Sequence, residues 1–340
     1  MSLKNSNVKI PKILANKLKN KKLSKIYNNF EKSINIKEKF AVAVSGGADS
    51  LALSFLAKIY SIKKKIKTKY LIIDHRLRSN STLEAKNVKK ILIKFGIKAE
   101  ILTWKGKKPF KNIQSIARKK RYELLFLKCR KLNINNILLA HHQNDLFENF
   151  FIRILRGSGL KGLVSFKKES KINDMNILRP LLEVKKKDLI FISKFVFNNF
   201  VDDPSNYNEK FLRTRVRKIL IQLENEGLDD KKFYKSIRNL QYSDKTIQTY
   251  IDKNLEENSF FSVKKNRSVL SKNFFVQPQE VVFRSLSDLL RIIGKKYYPS
   301  RGKKLEKIIQ EIQKNTSFRA TLGGCIVEKV KHTVIISKER

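Results

Sequence analysis

From residue 39 to about 140, short and continuously apolar runs alternate with longer stretches of helical period. The runs are FAVAV (40–44), KYLIID (69–74), AEILTW (99–104) and NILLA (136–140). Apolar residues that do not alternate with polar ones predict strands buried on both faces. Helical patterns near 49–61, 81–95 and 113–131 separate them. That rhythm predicts an α/β fold: a doubly wound parallel sheet with helices on both faces. Ligands of such sheets bind beyond the carboxyl ends of the strands. Three polar stretches fall there: SGGADS (45–50) after the first run, DHRLR (74–78) after the second and HHQNDLFEN (141–149) after the fourth.

The pattern changes after about 215. Residues 216–296 read as mostly helical, with little strand signal. PSRGKKLEKIIQEIQ (299–313) reads as a capped amphipathic helix, and 318–339 as a hairpin or small β-unit with Gly323 and Gly324 at a turn. No internal repeat is evident. The expected organisation is a basic N-terminal extension (1–36), a sheet domain (37–215) and a mainly helical C-terminal domain (216–340) ending in the β-unit. The N-terminus is basic, free of acidic residues and without the apolar core of a signal peptide, so it reads as a solvated amphipathic extension. No run approaches the roughly 18 apolar residues of a membrane span. A cytoplasmic protein is expected.

Charge adds a partner class. Lys and Arg number 75 against 30 Asp and Glu, a formal net charge of +45. Such a field attracts polyanions, nucleic acid foremost. A general enrichment in Lys, Ile, Asn and Phe, which the chain shows throughout, is the bland alternative. The two cysteines, Cys129 and Cys325, stand far apart and outside any C-x-x-C, which argues against a disulfide scaffold or a cysteine zinc site.

The loop SGGADS joins a buried strand to a helix, so its amides and the helix N-terminus form an anion site. Gly46 and Gly47 let a phosphate approach the backbone, Ser45 and Ser50 add hydroxyls, and Asp49 can take a Mg²⁺ ion that accompanies phosphates. The loop is neither a Walker loop nor a dinucleotide fingerprint. A plain glycine turn with Asp49 or Ser50 as helix cap is the alternative. Asp145 and Glu148, spaced i, i+3, share one face of a helix starting near Asn144. They can hold an ammonium group and help remove its proton, or simply complement the helix dipole. His141 and His142 are adjacent and project differently, so joint metal chelation is not expected. Arg118 and Arg121 lie i, i+3 on a helix. The glycines of 157–162 suit either a mobile flap or a C-cap.

SGGADS resembles the PP-loop of the ATP pyrophosphatase superfamily, S-G-G-x-D-S. Six further stretches narrow the family: DHRLRSNS (74–81), NIQSIARKKRY (112–122), AHHQNDLFENFFIRILRGSGLKGL (140–163), RPLL (179–182), DDPSN (202–206) and RTRVRKIL (213–220). In order and spacing they resemble the tRNA(Ile)-lysidine synthetases, most strongly over 39–220. The resemblance implies an ATP-dependent ligase. ATP adenylates O2 of the wobble cytidine of an isoleucine tRNA with a CAU anticodon, pyrophosphate leaves, and free L-lysine attacks C2 to form lysidine. Codon specificity then changes from AUG to AUA.

By the same resemblance, ATP contacts Ser45, Gly46, Gly47, Ala48, Asp49, Ser50, Asp74 and His75, and Mg²⁺ sits on Asp49. Lysine binds Asp145 and Glu148, Arg213 joins Asp49 and these acids in catalysis, and Arg78, Arg118, Arg156 and Arg217 contact tRNA. The basic C-terminal half grips the tRNA body through its phosphates. The chain departs from the family pattern H-H-x-D-D-Q-x-E-T at Asn144, Leu146 and Asn149, and from R-N-x-x-R at Thr214. The rivals are a PP-loop tRNA thiolase, which often uses paired cysteines, and a non-catalytic RNA-binding protein. A homodimer is compatible with the sequence, and a further C-terminal domain of longer relatives is expected to be missing.

Overall fold

The apolar runs become strands of one sheet, and alternate residues of β1 (Phe40–Val44) enter two different cores. Phe40, Val42 and Val44 face one and Ala41 the other. The computed structural model describes residues 10–78, 80–106, 109–110, 112–201, 208–262, 267–296 and 302–339. DDPSN (202–206) and the expected helix cap at 299–301 lie outside the described residues. Two compact units, residues 1–229 and 230–340, divide the chain.

In the first unit α3 (Ala48–Lys63), β2 (Thr68–Asp74), α4 (Ser81–Ile93), β3 (Ala99–Thr103), α5 (Ile113–Lys131) and β4 (Asn136–Leu138) follow β1. The chain continues through α6 (Gln143–Ile154), α7 (Leu160–Leu163), β5 (Glu169–Ile172), β6 (Met175–Leu178), α8 (Lys186–Phe197) and α9 (Leu212–Asn225). The sheet order is β3-β2-β1-β4-β6-β5, parallel except for the edge strand β5. The β5–β6 hairpin was not legible as strand in the sequence, because its four-residue arms are half polar. β1 lies between β2 and β4, so the order reverses there and a crevice opens at the carboxyl ends of β1 and β4.

The basic N-terminal stretch is not solvated over its described part. In α1 (Lys12–Leu18) Leu14 is buried. In α2 (Lys21–Ser33) Leu23, Ile26, Tyr27 and Phe30 are buried at helical spacing in the same core as α3 and α8. Each such side chain contributes roughly 1.5–3 kcal/mol on burial, while Lys12, Lys19, Lys21, Lys22 and Lys25 stay in water on the other face. Lys17 donates to the Phe195 carbonyl at 2.7 Å and stacks over its ring. α9 lies wholly within the first unit, although a boundary at 215 would cut it.

The second unit holds α10 (Asp230–Asn258), β7 (Ser259–Ser262), β8 (Arg267–Leu270), α11 (Gln279–Ile293), α12 (Gly302–Lys314), β9 (Ser317–Leu322), β10 (Cys325–Val330) and β11 (Thr333–Lys338). Its strands form an antiparallel sheet, β7-β8-β11-β10-β9, packed on one face by α11 and α12. Residues 216–296 are mostly helical, as their pattern predicts, and the short β7–β8 hairpin is the strand pair that the pattern did not show. Gly323 and Gly324, at φ +67° and +78°, turn β9 into β10 as a two-residue hairpin loop requires. No helix among the described residues is long and apolar enough to cross a membrane.

Candidate active site

Ser45, Gly46 and Gly47 connect β1 to α3 at the crevice. The loop is closed by one hydroxyl. Ser50 Oγ accepts the amides of Ser45 and Gly46 at 3.1 and 3.0 Å and donates to the Gly47 carbonyl at 3.0 Å. Ser45 Oγ adds a fourth bond at 3.1 Å. Ser50, 4 % exposed, is therefore a staple of the loop. The amides of Ala48 and Asp49 open α3 and have no acceptor one turn back, as at any helix start. Gly46 is required by conformation: its φ is +90°, and a Cβ there would lie 2.5 Å from Val88 Cγ2. At Gly47 a Cβ would meet only ordinary contacts at 3.8 Å, with Ser45 Oγ and the Val201 carbonyl, and so would not clash with the protein.

Asp49, in the first turn of α3, is bound by a residue the sequence reading missed. Lys186 Nζ lies 2.7 Å from both carboxylate oxygens. The lysine run 185–187 offered no way to tell which ammonium would reach the loop. His142 lies on the other side of Asp49, its Nε2 3.7 Å from Asp49 Oδ2 and 3.4 Å from Asp145 Oδ2. The two histidines do diverge, as expected. His142 turns to the acids, while His141 packs edge-on against Phe166.

Asp145 and Glu148 share a face of α6, as their spacing predicts, but neither is a free carboxylate. Arg213, on α9, bridges both, with Nη2 on Asp145 Oδ1 and Nε on Glu148 Oε2. Arg217 Nε donates to Glu148 Oε1 at 2.6 Å, and the His142 amide donates to Asp145 Oδ2 at 2.9 Å. All four carboxylate oxygens thus have partners. Burial alone would raise the Asp145 carboxyl, but His142 and Arg213 overcome it and hold it at about 2. For Arg213 the two acids outweigh burial and keep the guanidinium firmly charged. A continuous chain of polar contacts results, with the His142 ring between two acids: Lys186, Asp49, His142, Asp145, Arg213, Glu148, Arg217.

Arg118 and Arg121 of α5 form a second group with His75, His141 and Arg179. Arg121 Nε donates to His75 Nε2 at 3.5 Å. Burial first, then Arg121, pushes His75 down to about 4, and burial pushes His141 down to about 3. Arg118 is exposed over the Tyr122 ring. Arg179 is 5 % exposed and donates to the Lys167 carbonyl and Ser170 Oγ at 2.8 and 2.9 Å.

Three further candidate residues have protein partners or positions of their own. Asp74 turns into its own connection, accepting from the Arg76 amide, Ser81 Oγ and Thr82 Oγ1 at 3.0, 2.9 and 2.7 Å. These bonds outweigh burial and lower its pKa. Arg78 pairs with Glu84 at 3.3 Å. Arg156 is exposed in the turn after α6, where Gly157, at φ +64°, donates to the Ile154 carbonyl as in a helix C-cap. Among the described residues no group of His, Cys, Asp and Glu forms a metal cage. The half-open Asp49 carboxylate fits a Mg²⁺ ion held chiefly by phosphates, once Lys186 moves off it.

Residues 15–224 match the family model of the PP-loop domain, which spans the sheet, the loop and α9. The tRNA(Ile)-lysidine synthase of Orientia tsutsugamushi (strain Boryong) is 36% identical over 310 residues, covering 88% of this chain and 70% of that protein. Those of Wolbachia sp. subsp. Brugia malayi (strain TRS) and Wolbachia pipientis wMel are 31% and 32% identical, covering 92% and 88% of this chain and 72% and 70% of theirs. Among solved structures, a U34-tRNA thiolase from Methanococcus maripaludis with its 4Fe-4S cluster superposes with a TM-score of 0.57. It is 16% identical and covers 65% of this chain and 78% of that one, a likeness of fold alone. The chain belongs to the tRNA(Ile)-lysidine synthase family of PP-loop proteins.

Proposed function

We propose that the chain forms lysidine in an isoleucine tRNA with a CAU anticodon, using ATP and free L-lysine. The observation that carries this reading is the junction of two chemistries at one crevice: an open helix N-terminus after Gly47, and the acid pair Asp145–Glu148 linked to it through His142. The cytidine O2 attacks the α-phosphorus of ATP, the bond to the β-phosphate breaks and pyrophosphate leaves. The amine of lysine then bonds to C2, the C2–O2 bond breaks, and AMP carries the oxygen away.

The residues divide these tasks. The amides of Ala48 and Asp49 and the α3 dipole stabilise charge on the phosphates. Mg²⁺, when bound, neutralises phosphate charge beside Asp49. Asp145 and Glu148 receive the lysine ammonium, which must displace a bond from Arg213 or Arg217 to reach them. His142 Nε2, between Asp49 and Asp145, lies where a proton leaving that amine can be held. The exposed Arg118 and Arg121 face no acid in their helix turn and suit RNA phosphates.

A sulfur-transfer reading has no support from the cysteines. Cys129 and Cys325 are buried in different units, and burial pushes both thiols up to about 11. The test is incubation with ATP, Mg²⁺, radiolabelled lysine and unmodified CAU-anticodon tRNA. Lysine label in the tRNA with release of pyrophosphate and AMP is the expected result. Pyrophosphate release without label would overturn the proposal.

A further inference from the structure

Lys186 opens α8, and its ammonium sits equidistant, 2.7 Å, from the two oxygens of Asp49. The helix that delivers it is fastened to the one that carries the loop. Ser193 Oγ, two turns further along α8, donates to the Ala48 carbonyl at 2.5 Å, and Leu189, Ile192 and Val196 share a buried core with Leu51 and Phe55 of α3. The chain beyond α8 returns to the same place, where the Val201 amide donates to the Gly46 carbonyl at 3.0 Å. The root of Lys186 is thus fixed relative to the loop, while its side chain is 41% exposed and free to re-aim.

The charges at the loop are unbalanced without this ammonium. Phosphates bound at the N-terminus of α3 lie beside Asp49, whose carboxylate repels them. Ser50, the loop's buried hydroxyl, is committed to the amides of Ser45 and Gly46, so the loop itself offers few donors to offset that repulsion. An ammonium is a compact point charge on a flexible stem and binds phosphate well. It loses little by leaving Asp49, since a partly exposed ion pair is weak.

Resting on the reading that the loop takes ATP, we propose that Lys186 is a phosphate-binding residue. It neutralises Asp49 in the free protein and exchanges that carboxylate for the β- and γ-phosphate oxygens of bound ATP, where it also offsets charge on departing pyrophosphate. The same movement uncovers Asp49.

The test is a double-mutant cycle on the full chain, read as the dissociation constants of ATP and of inorganic pyrophosphate by calorimetry in EDTA. K186M is expected to weaken both roughly 10-fold or more, and K186R to recover part of the loss. The deciding arm is D49N, which removes the acid that Lys186 would otherwise merely neutralise. In that background K186M is still expected to weaken ATP roughly 10-fold. No further loss there would make Lys186 only the counter-ion of Asp49 and overturn the proposal. Near-UV circular dichroism of each variant verifies the fold. A wild-type chain that binds no ATP sinks the nucleotide reading itself, whereas wild-type binding matched by K186M sinks this proposal alone.

Discussion

Arg217 donates to Glu148 Oε1 at 2.6 Å, and that carboxylate is 2% exposed. A lysine ammonium seeking Glu148 therefore competes with a guanidinium already there. R217M is expected to lower the KM for lysine roughly 3–10-fold, about 1 kcal/mol of competing interaction, while leaving the KM for ATP in place. Steady-state kinetics with varied lysine checks this. An unchanged or raised lysine KM would show that Arg217 does not compete.

Removing the acids should act in the opposite direction. D145N and E148Q each leave a guanidinium that is 44% or 36% exposed and can be solvated, so the fold should survive with a loss of no more than about 2 kcal/mol. Each should raise the lysine KM by roughly 10-fold or more and spare ATP binding. Equal losses of both affinities would contradict the separation of the two tasks.

The loop glycines should differ in kind. G46A places a Cβ against the buried Val88 at a φ of +90°, and is expected to cost roughly 2–4 kcal/mol of stability. G47A meets no close protein contact, so its melting temperature should stay near wild type while ATP affinity falls. Thermal melts and ATP titrations of the pair separate a structural glycine from one kept open for a ligand.

Acid should destabilise the chain in two stages. His75 and His141 titrate at about 4 and 3 when folded and near 6.5 when unfolded. Between those values the unfolded chain binds more protons. Their contribution is therefore complete above about pH 6.5 and is lost as pH falls toward 4 and 3. Asp145, held at about 2 against roughly 3.9 unfolded, adds a second loss between those values. Urea melts from pH 7 to 4 should show a shallower decline for the H75Q/H141Q variant. Parallel slopes would refute the assignment.

Both thiols should be inert while the chain is folded. Cys129 and Cys325 are fully buried, so a thiol reagent should modify neither in the native protein and both after denaturation. The C129A/C325A variant should still transfer lysine. Loss of transfer in a folded C129A/C325A variant would reopen sulfur chemistry.

Read alone, the sequence determined the strand–helix rhythm, the three polar strand ends and the acid pair on α6. Apolar runs and i, i+3 spacing are local properties, and the first four strands lie within a residue or two of the runs that predict them. It also determined the family, because short motifs in fixed order survive without any knowledge of contacts. Only the tertiary structure decided which charges meet. Lys186 stands 137 residues from Asp49, and Arg213 and Arg217 stand 65 and 69 from Glu148. The motif RTRVRKIL marks Arg213 and Arg217 as site residues without naming their partners, and nothing local distinguishes Lys186 among 75 lysines and arginines. Packing did so, by seating α8 against α3 and α9 against α6, so that ion pairs form where helix ends converge on the crevice.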